Sequence, residues 1–170
     1  GGIDTLDASA APFIYGVTTV IDLSPGGFSG QGNFNLTAIA YNAWIENAIG
    51  SKGNDLITGN ALNNNLSGGD GDDTINAGDG DDILSGGIGN NVLNGGSGND
   101  TIAATGFDTL DGGDGNDVIS AMYGTMHGGR GADTITAWGG TVYGDEGDDF
   151  INILSGTAIV VGSGPGGTNL

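Results

Sequence analysis

A large apolar residue returns every nine positions along residues 57–102, as Ile57, Leu66, Ile75, Leu84, Leu93 and Ile102. The series runs on through Leu110, Ile119, Met126, Ile135, Val142 and Ile151 at intervals of seven to nine. Two residues before each marker stands Asp55, Asn64, Asp73, Asp82, Asn91, Asp100, Asp108, Asp117, Gly124, Asp133, Gly140 or Asp149. A nine-residue period excludes an amphipathic helix, whose apolar period is about 3.6. The 38 glycines exclude it again. A merely solvated acidic linker would not hold an apolar residue in phase, so the segment is a repeat with a core.

Charge narrows the partners. The 170 residues carry 21 acids against two bases, Lys52 and Arg130, for a net charge of −19. All the acids but Glu46 and Glu146 are aspartate, the short carboxylate suited to tight turns. Nucleic acid and anionic membranes are poor partners for this charge, and cations are its complement. No cysteine is present, which removes disulfides and thiolate zinc sites. No stretch approaches the ~18 apolar residues of a membrane helix. Residues 1–7 lack the basic start and apolar run of a signal peptide.

The fullest copies read GGDGDDTIN, GGSGNDTIA, GGDGNDVIS and GGRGADTIT. Over residues 50–152 the chain resembles the RTX calcium-binding family, with its G-G-x-G-x-D-x-U-x repeat. The resemblance implies an all-β fold, a right-handed parallel β-roll. Six glycine-rich residues turn the chain sharply with their carbonyls inward, and three form a short strand whose apolar residue faces the core. Two nonapeptides make one turn, and neighbouring turns lie about 4.8 Å apart.

Alternate repeats therefore share an edge. The first edge carries Asn64, Asp82, Asp100, Asp117, Asp133 and Asp149. The second carries Asp55, Asp73, Asn91 and Asp108, then Gly124 and Gly140, where the copies shrink to AMYGTMH and AWGGTVY. The full turn is expected to shorten from 18 to 16 residues. Stacked carboxylates repel, and Ca²⁺ between consecutive turns would reverse that, drawing six to eight oxygens from carboxylates and carbonyls. In the family, one loop gives carbonyls at its first and third positions and the next turn's loop at its second and fourth. Carried over, Gly78, Asp79, Gly80 and Asp82 pair with Gly96, Gly98 and Asp100. Gly95, Ser97 and Asp100 pair with Gly113, Gly115 and Asp117. The series continues through Gly112, Asp114, Gly128, Gly129, Arg130, Gly131 and Asp133 to Gly144, Asp145, Gly147 and Asp149. A weaker site is expected at residues 59–64, ending in Asn64. On the second edge the resemblance implies Gly50, Ser51, Lys52, Gly53 and Asp55, then Gly68, Gly69, Asp70, Gly71 and Asp73, with Asn91 and Asp108 beyond. About seven ions are expected, which would bring −19 to about −5 and make folding depend on calcium.

The first 49 residues are not repeat. GGIDTLDAS, TTVIDLSPGGFS and AWIENAIGSKGNDLITGN succeed one another as at the start of the C-terminal domain of serralysin-type secreted metalloproteases, which residues 1–67 resemble. Residues 20–23 and 34–38 read as strands capping the roll. That likeness implies one calcium held by the Trp44 carbonyl, Glu46, Ser51, Gly53 and Asp55. It implies another at Gly1, Gly2 and Asp4, whose remaining ligands lie in the family's catalytic domain. Either the chain is cut from a larger protein or that site is empty. The expected organisation is a cap over residues 1–49, a roll over 50–161 and a tail over 162–170, which lacks the family's acidic and aromatic export segment.

Catalysis is not expected. There is no H-E-x-x-H motif, and His127, the one histidine, reads as a turn or surface residue. The expected role is a non-catalytic, monomeric domain giving calcium-dependent folding to a secreted bacterial exoprotein, exported in the family by type I secretion. It would be attached to a catalytic or adhesin domain. A competing reading makes the second edge a binding surface for a polysaccharide, ice or a partner domain. It rests on Met122, Trp138 and Leu154, beside a column of Thr125, Thr141 and Thr157.

Overall fold

A computed structural model describes residues 2–10, 18–31, 34–38 and 44–162. Gly1 and all but the first residue of the expected tail lie outside them. The described residues form strands and no helix. These are β1 (Thr5–Asp7), β2 (Thr19–Asp22), β3 (Phe28–Gln31), β4 (Phe34–Ala38), β5 (Asn47–Ile49), β6 (Asp55–Thr58) and β7 (Asn65–Asp70). There follow β8 (Thr74–Asp79), β9 (Ile83–Ile88), β10 (Val92–Ser97), β11 (Thr101–Asp114), β12 (Val118–Arg130), β13 (Thr134–Glu146) and β14 (Phe150–Val161).

Pairing is parallel between every second copy, as two nonapeptides per turn require. One face runs β1, β5, β7, β9 and the first part of β11, with Ala48, Leu66, Leu84 and Ile102 in register. The other runs β2, β6, β8, β10 and the latter part of β11, with Ile21, Ile57, Ile75, Leu93 and Leu110 in register. β12, β13 and β14 extend both faces. β3 and β4 add an antiparallel flap beyond β2.

Because side chains alternate along a strand, each marker points between the two faces while its neighbours point to solvent. From Ile57 to Val142 all eleven markers are at most 1% exposed. Each contributes about 1.5–3 kcal/mol on burial, which is how so glycine-rich a chain keeps a core.

Two expectations are corrected. The strands exceed three residues, because pairing continues into the glycines, as in Gly96 with Gly113. In β11–β14 the strand runs across both faces. The turn does shorten from 18 residues at Val92–Thr74 to 16 at Thr125–Thr109, but it lengthens again at the end. Ala137 pairs with Ile153 and Gly139 with Thr157, so Trp138 alone stands opposite residues 154–156. This bulge puts Ile159, not Thr157, beside Thr141. The threonine column therefore stops at Thr141.

Candidate metal centre

The loops turn where glycine permits. Gly96 and Gly98 sit at φ 109° and 135°, closed to most side chains. The same positions of the last loop are Asp145, at φ 65°, and Gly147.

Asp73, Asp82, Asn91, Asp100, Asp108, Asp117, Asp133 and Asp149 each end a loop as a buried Asx whose side chain reaches toward the preceding turn. On the first edge the main-chain N–H groups of Asn64, Asp82, Asp100, Asp117 and Asp133 donate to Oδ1 of Asp82, Asp100, Asp117, Asp133 and Asp149, at 2.6–3.1 Å. On the second, Asp55 donates to Asp73, Asp73 to Asn91 and Asn91 to Asp108, at 2.7–2.9 Å. The two edges thus hold the residues that the period assigned to them. All these side chains are 1–2% exposed.

One oxygen of each carboxylate is thereby satisfied. At Asp73, Asp82, Asp100, Asp117 and Asp133 the other is not, and Oδ2 is buried without a hydrogen-bond partner. A buried anion in that state is costly unless a cation or proton joins it. Burial pushes the Asp73 and Asp82 carboxyls up to about 7, and Asp117 and Asp133 to about 6, with neighbouring aspartates adding to the rise. Asp100 and Asp149 are raised as well, chiefly by burial.

The space beside these oxygens is lined by glycine backbone. A Cβ on Gly68, Gly95, Gly112 or Gly128 would collide with Oδ2 of Asp73, Asp100, Asp117 or Asp133 respectively. Each of these glycines also lies against a carbonyl of the following turn, those of Gly86, Gly112, Gly128 and Gly144. Carboxylates with main-chain carbonyls are hard oxygen donors, the set that Ca²⁺ prefers and thiophilic metals do not. Among the described residues no three His, Cys, Asp or Glu side chains converge on one point, so a site here must use backbone oxygens. The third-position carbonyls of Ser97, Asp114 and Arg130 already accept the N–H of Gly80, Gly98 and Gly115 at 2.7–2.8 Å. Each retains one lone pair.

The N-terminal residues are arranged differently. The N–H and Oγ of Ser51 both donate to Asp55, and the N–H of Gly53 donates to Ser51 Oγ. Glu46 Oε2 accepts the N–H of Asp4 at 2.9 Å, joining residues that the resemblance divided between two sites. Asn64 reaches Asn60, whose amide donates to the carbonyls of Leu23 and Ile45, so a neutral network closes the first edge. Trp44 and Lys52 are both exposed.

A second ladder escaped the sequence reading. Asn54, Asn63, Asp72, Asp81, Asn99 and Asn116, one position before the buried Asx, accept N–H groups of Asp72, Asp81, Asn90, Asn99, Asn116 and Ala132 through Oδ1 at 2.7–3.1 Å. The recurrence of Asx at the fifth loop position was the signal. His127 lies on the strand surface, not in a turn, stacked on Tyr143 and 2.9 Å from Asp145. Arg130 bridges Asp114 and Glu146.

Stacked parallel turns with a row of half-partnered, buried carboxylates along an edge define a cation-binding parallel β-roll. The family model for the RTX calcium-binding nonapeptide repeat (four copies) matches residues 45–75, 58–93, 67–102, 95–124, 125–151 and 141–157, and the chain belongs to that family. Comparison with curated proteins finds no match. No helix among the described residues is long and apolar enough to cross a membrane.

Proposed function

We propose that this chain is a non-catalytic domain whose folding is driven by calcium, part of a secreted bacterial exoprotein. The observation that carries the reading is the set of five buried carboxylate oxygens without partners among the described residues, each on a ladder of stacked turns. Bound there, calcium supplies divalent charge and accepts carboxylate and carbonyl oxygens of two turns together. Asp82, Asp100, Asp117, Asp133 and Asp149 would hold it on the first edge and Asp73 on the second. The glycine-rich loops contribute their carbonyls. Because no such site exists in the unfolded chain, binding free energy becomes folding free energy. A chain left unfolded at low cytosolic calcium would be exported and would then fold in millimolar calcium outside. The opening residues support a serralysin-like metalloprotease as the parent, with about seven ions over the whole domain.

Far-UV circular dichroism of the chain in EGTA, then with added CaCl₂ and with MgCl₂ as control, tests the reading. A cooperative coil-to-β transition with calcium alone is expected. A full β spectrum in EGTA would overturn calcium-driven folding.

A second reading has its own observation. A groove of about 450 Å³ opens on the second-edge side, lined by Ser85, Ile88, Thr105, Ser120, Met122 and Trp138 among others, without a charged residue. Phe107 and Tyr123 stack with ring centres 5.4 Å apart and are also exposed. An uncharged, aromatic-edged groove on a chain of −19 suits a neutral ligand or an attached domain. Trp138 fluorescence during titration with neutral oligosaccharides tests the ligand form, and an unchanged signal would remove it.

A further inference from the structure

The buried Asx residues differ in one atom. At Asp73, Asp82, Asp100, Asp117 and Asp133, Oδ1 takes an N–H of the preceding turn and Oδ2 has no partner. At Asn91 the N–H of Asp73 likewise donates to Oδ1, at 2.9 Å. That bond sets the orientation of the amide, so a nitrogen takes the place of the second oxygen. Nδ2 of Asn91 stands beside Gly86 as Oδ2 of Asp73 stands beside Gly68. It donates to Oδ1 of Asp108 at 3.1 Å, which also accepts the N–H of Asn91 at 2.7 Å. The remaining oxygen of Asp108 accepts the N–H of Gly106 at 2.6 Å. No side-chain oxygen of Asn91 or Asp108 is left without a hydrogen bond, and an N–H pointed into a cation site repels what the site would bind.

We infer that Asn91 is a built-in stop in the cation ladder of the second edge: its side-chain N–H replaces the ion, and the turn carrying Asn91 is joined to the turn carrying Asp108 by the protein alone. This rests on the calcium reading above. Calcium dependence is then unequal between the edges. The first edge needs ions along its length, whereas the second needs them only before Asn91. The exposed Phe107, Met122, Tyr123 and Trp138 all lie beyond that stop.

What the step from Asn91 to Asp108 lacks is a carboxylate oxygen beside Gly86, as Asp73 has Oδ2 beside Gly68. Asn91→Asp should create it. The test is equilibrium dialysis of the full chain at saturating calcium, with bound metal counted by atomic absorption. Asn91→Asp is expected to hold one more calcium per chain than the wild type. Asp100→Asn, which makes the reverse change on the first edge, is expected to lose at least one. Wild-type binding with no gain in Asn91→Asp overturns the inference and leaves the calcium reading standing. No binding by the wild type overturns both. Should Asn91→Asp fail to fold even in calcium, Asp100→Asn decides: an unchanged count overturns the inference and a loss supports it.

Discussion

The main-chain N–H of Asp117 donates to Oδ1 of Asp133 at 2.8 Å, while Oδ2 of Asp133 is buried with no partner. The same carboxylate is therefore a register pin for one turn and an unmet demand for positive charge. Structural role and metal affinity cannot be separated in such a residue, and the expected effects of changing it follow.

Asp100→Ala removes the acceptor of the Asp82 N–H as well as a carboxylate. A buried donor left without a partner costs about 1–3 kcal/mol before any loss of metal is counted. Asp111, on the exposed strand surface, is the control. Denaturant unfolding in calcium should show Asp100→Ala destabilised by at least that amount and Asp111→Asn within about 0.5 kcal/mol of wild type. Equal stability of the two variants would contradict the ladder.

The raised carboxyls set the pH response of the metal-free fold. Folded Asp73, Asp82, Asp117 and Asp133 hold protons up to about pH 6–7, whereas the unfolded groups release them near 3.8. The folded state binds more protons between those values, so its stability falls as pH rises from 4 to 7. In EGTA the coil expected near pH 7.5 should gain β signal in far-UV circular dichroism as the pH is lowered to 4.5. With calcium the trend should reverse, because protons compete for the same oxygens. A metal-free β signal that grows as the pH rises would show that these carboxyls are not desolvated as described.

Gly98→Ala places a Cβ against the carbonyl of Gly80 at a φ of 135°. Backbone cannot yield there without parting two turns, so calcium titration of this variant should need a higher midpoint or fail to reach the full β signal. Gly2→Ala meets nothing and should titrate as wild type.

Ile119→Ala empties a fully buried position in the middle of one face. A loss of about 2–5 kcal/mol in calcium is expected from unfolding curves. Arg130→Gln breaks two exposed ion pairs, to Asp114 and Glu146, and should cost less than about 1 kcal/mol. A larger cost for Arg130 than for Ile119 would mean that surface charge, not the apolar ladder, holds the metal-loaded roll.

The period of the apolar markers was enough to assign Leu66, Leu84 and Ile102 to one face and Ile57, Ile75 and Leu93 to the other. It also sorted the aspartates onto two edges. That information is local: nine residues per half-turn and strict alternation within a strand leave one way to bury every marker. Tertiary structure decided what depends on atoms a turn apart. The bulge opposite Trp138 ends the threonine column, because residues 154–156 must be fitted into a ladder already paired on both sides. Asn91 receives an N–H of the preceding turn as its neighbours do, and differs in the Nδ2 N–H that it gives to Asp108. Sequence named the carboxylates; only the stacking of turns showed which of their oxygens are left without a partner, since each partner lies 16 to 18 residues away and is brought close by closure of the turn.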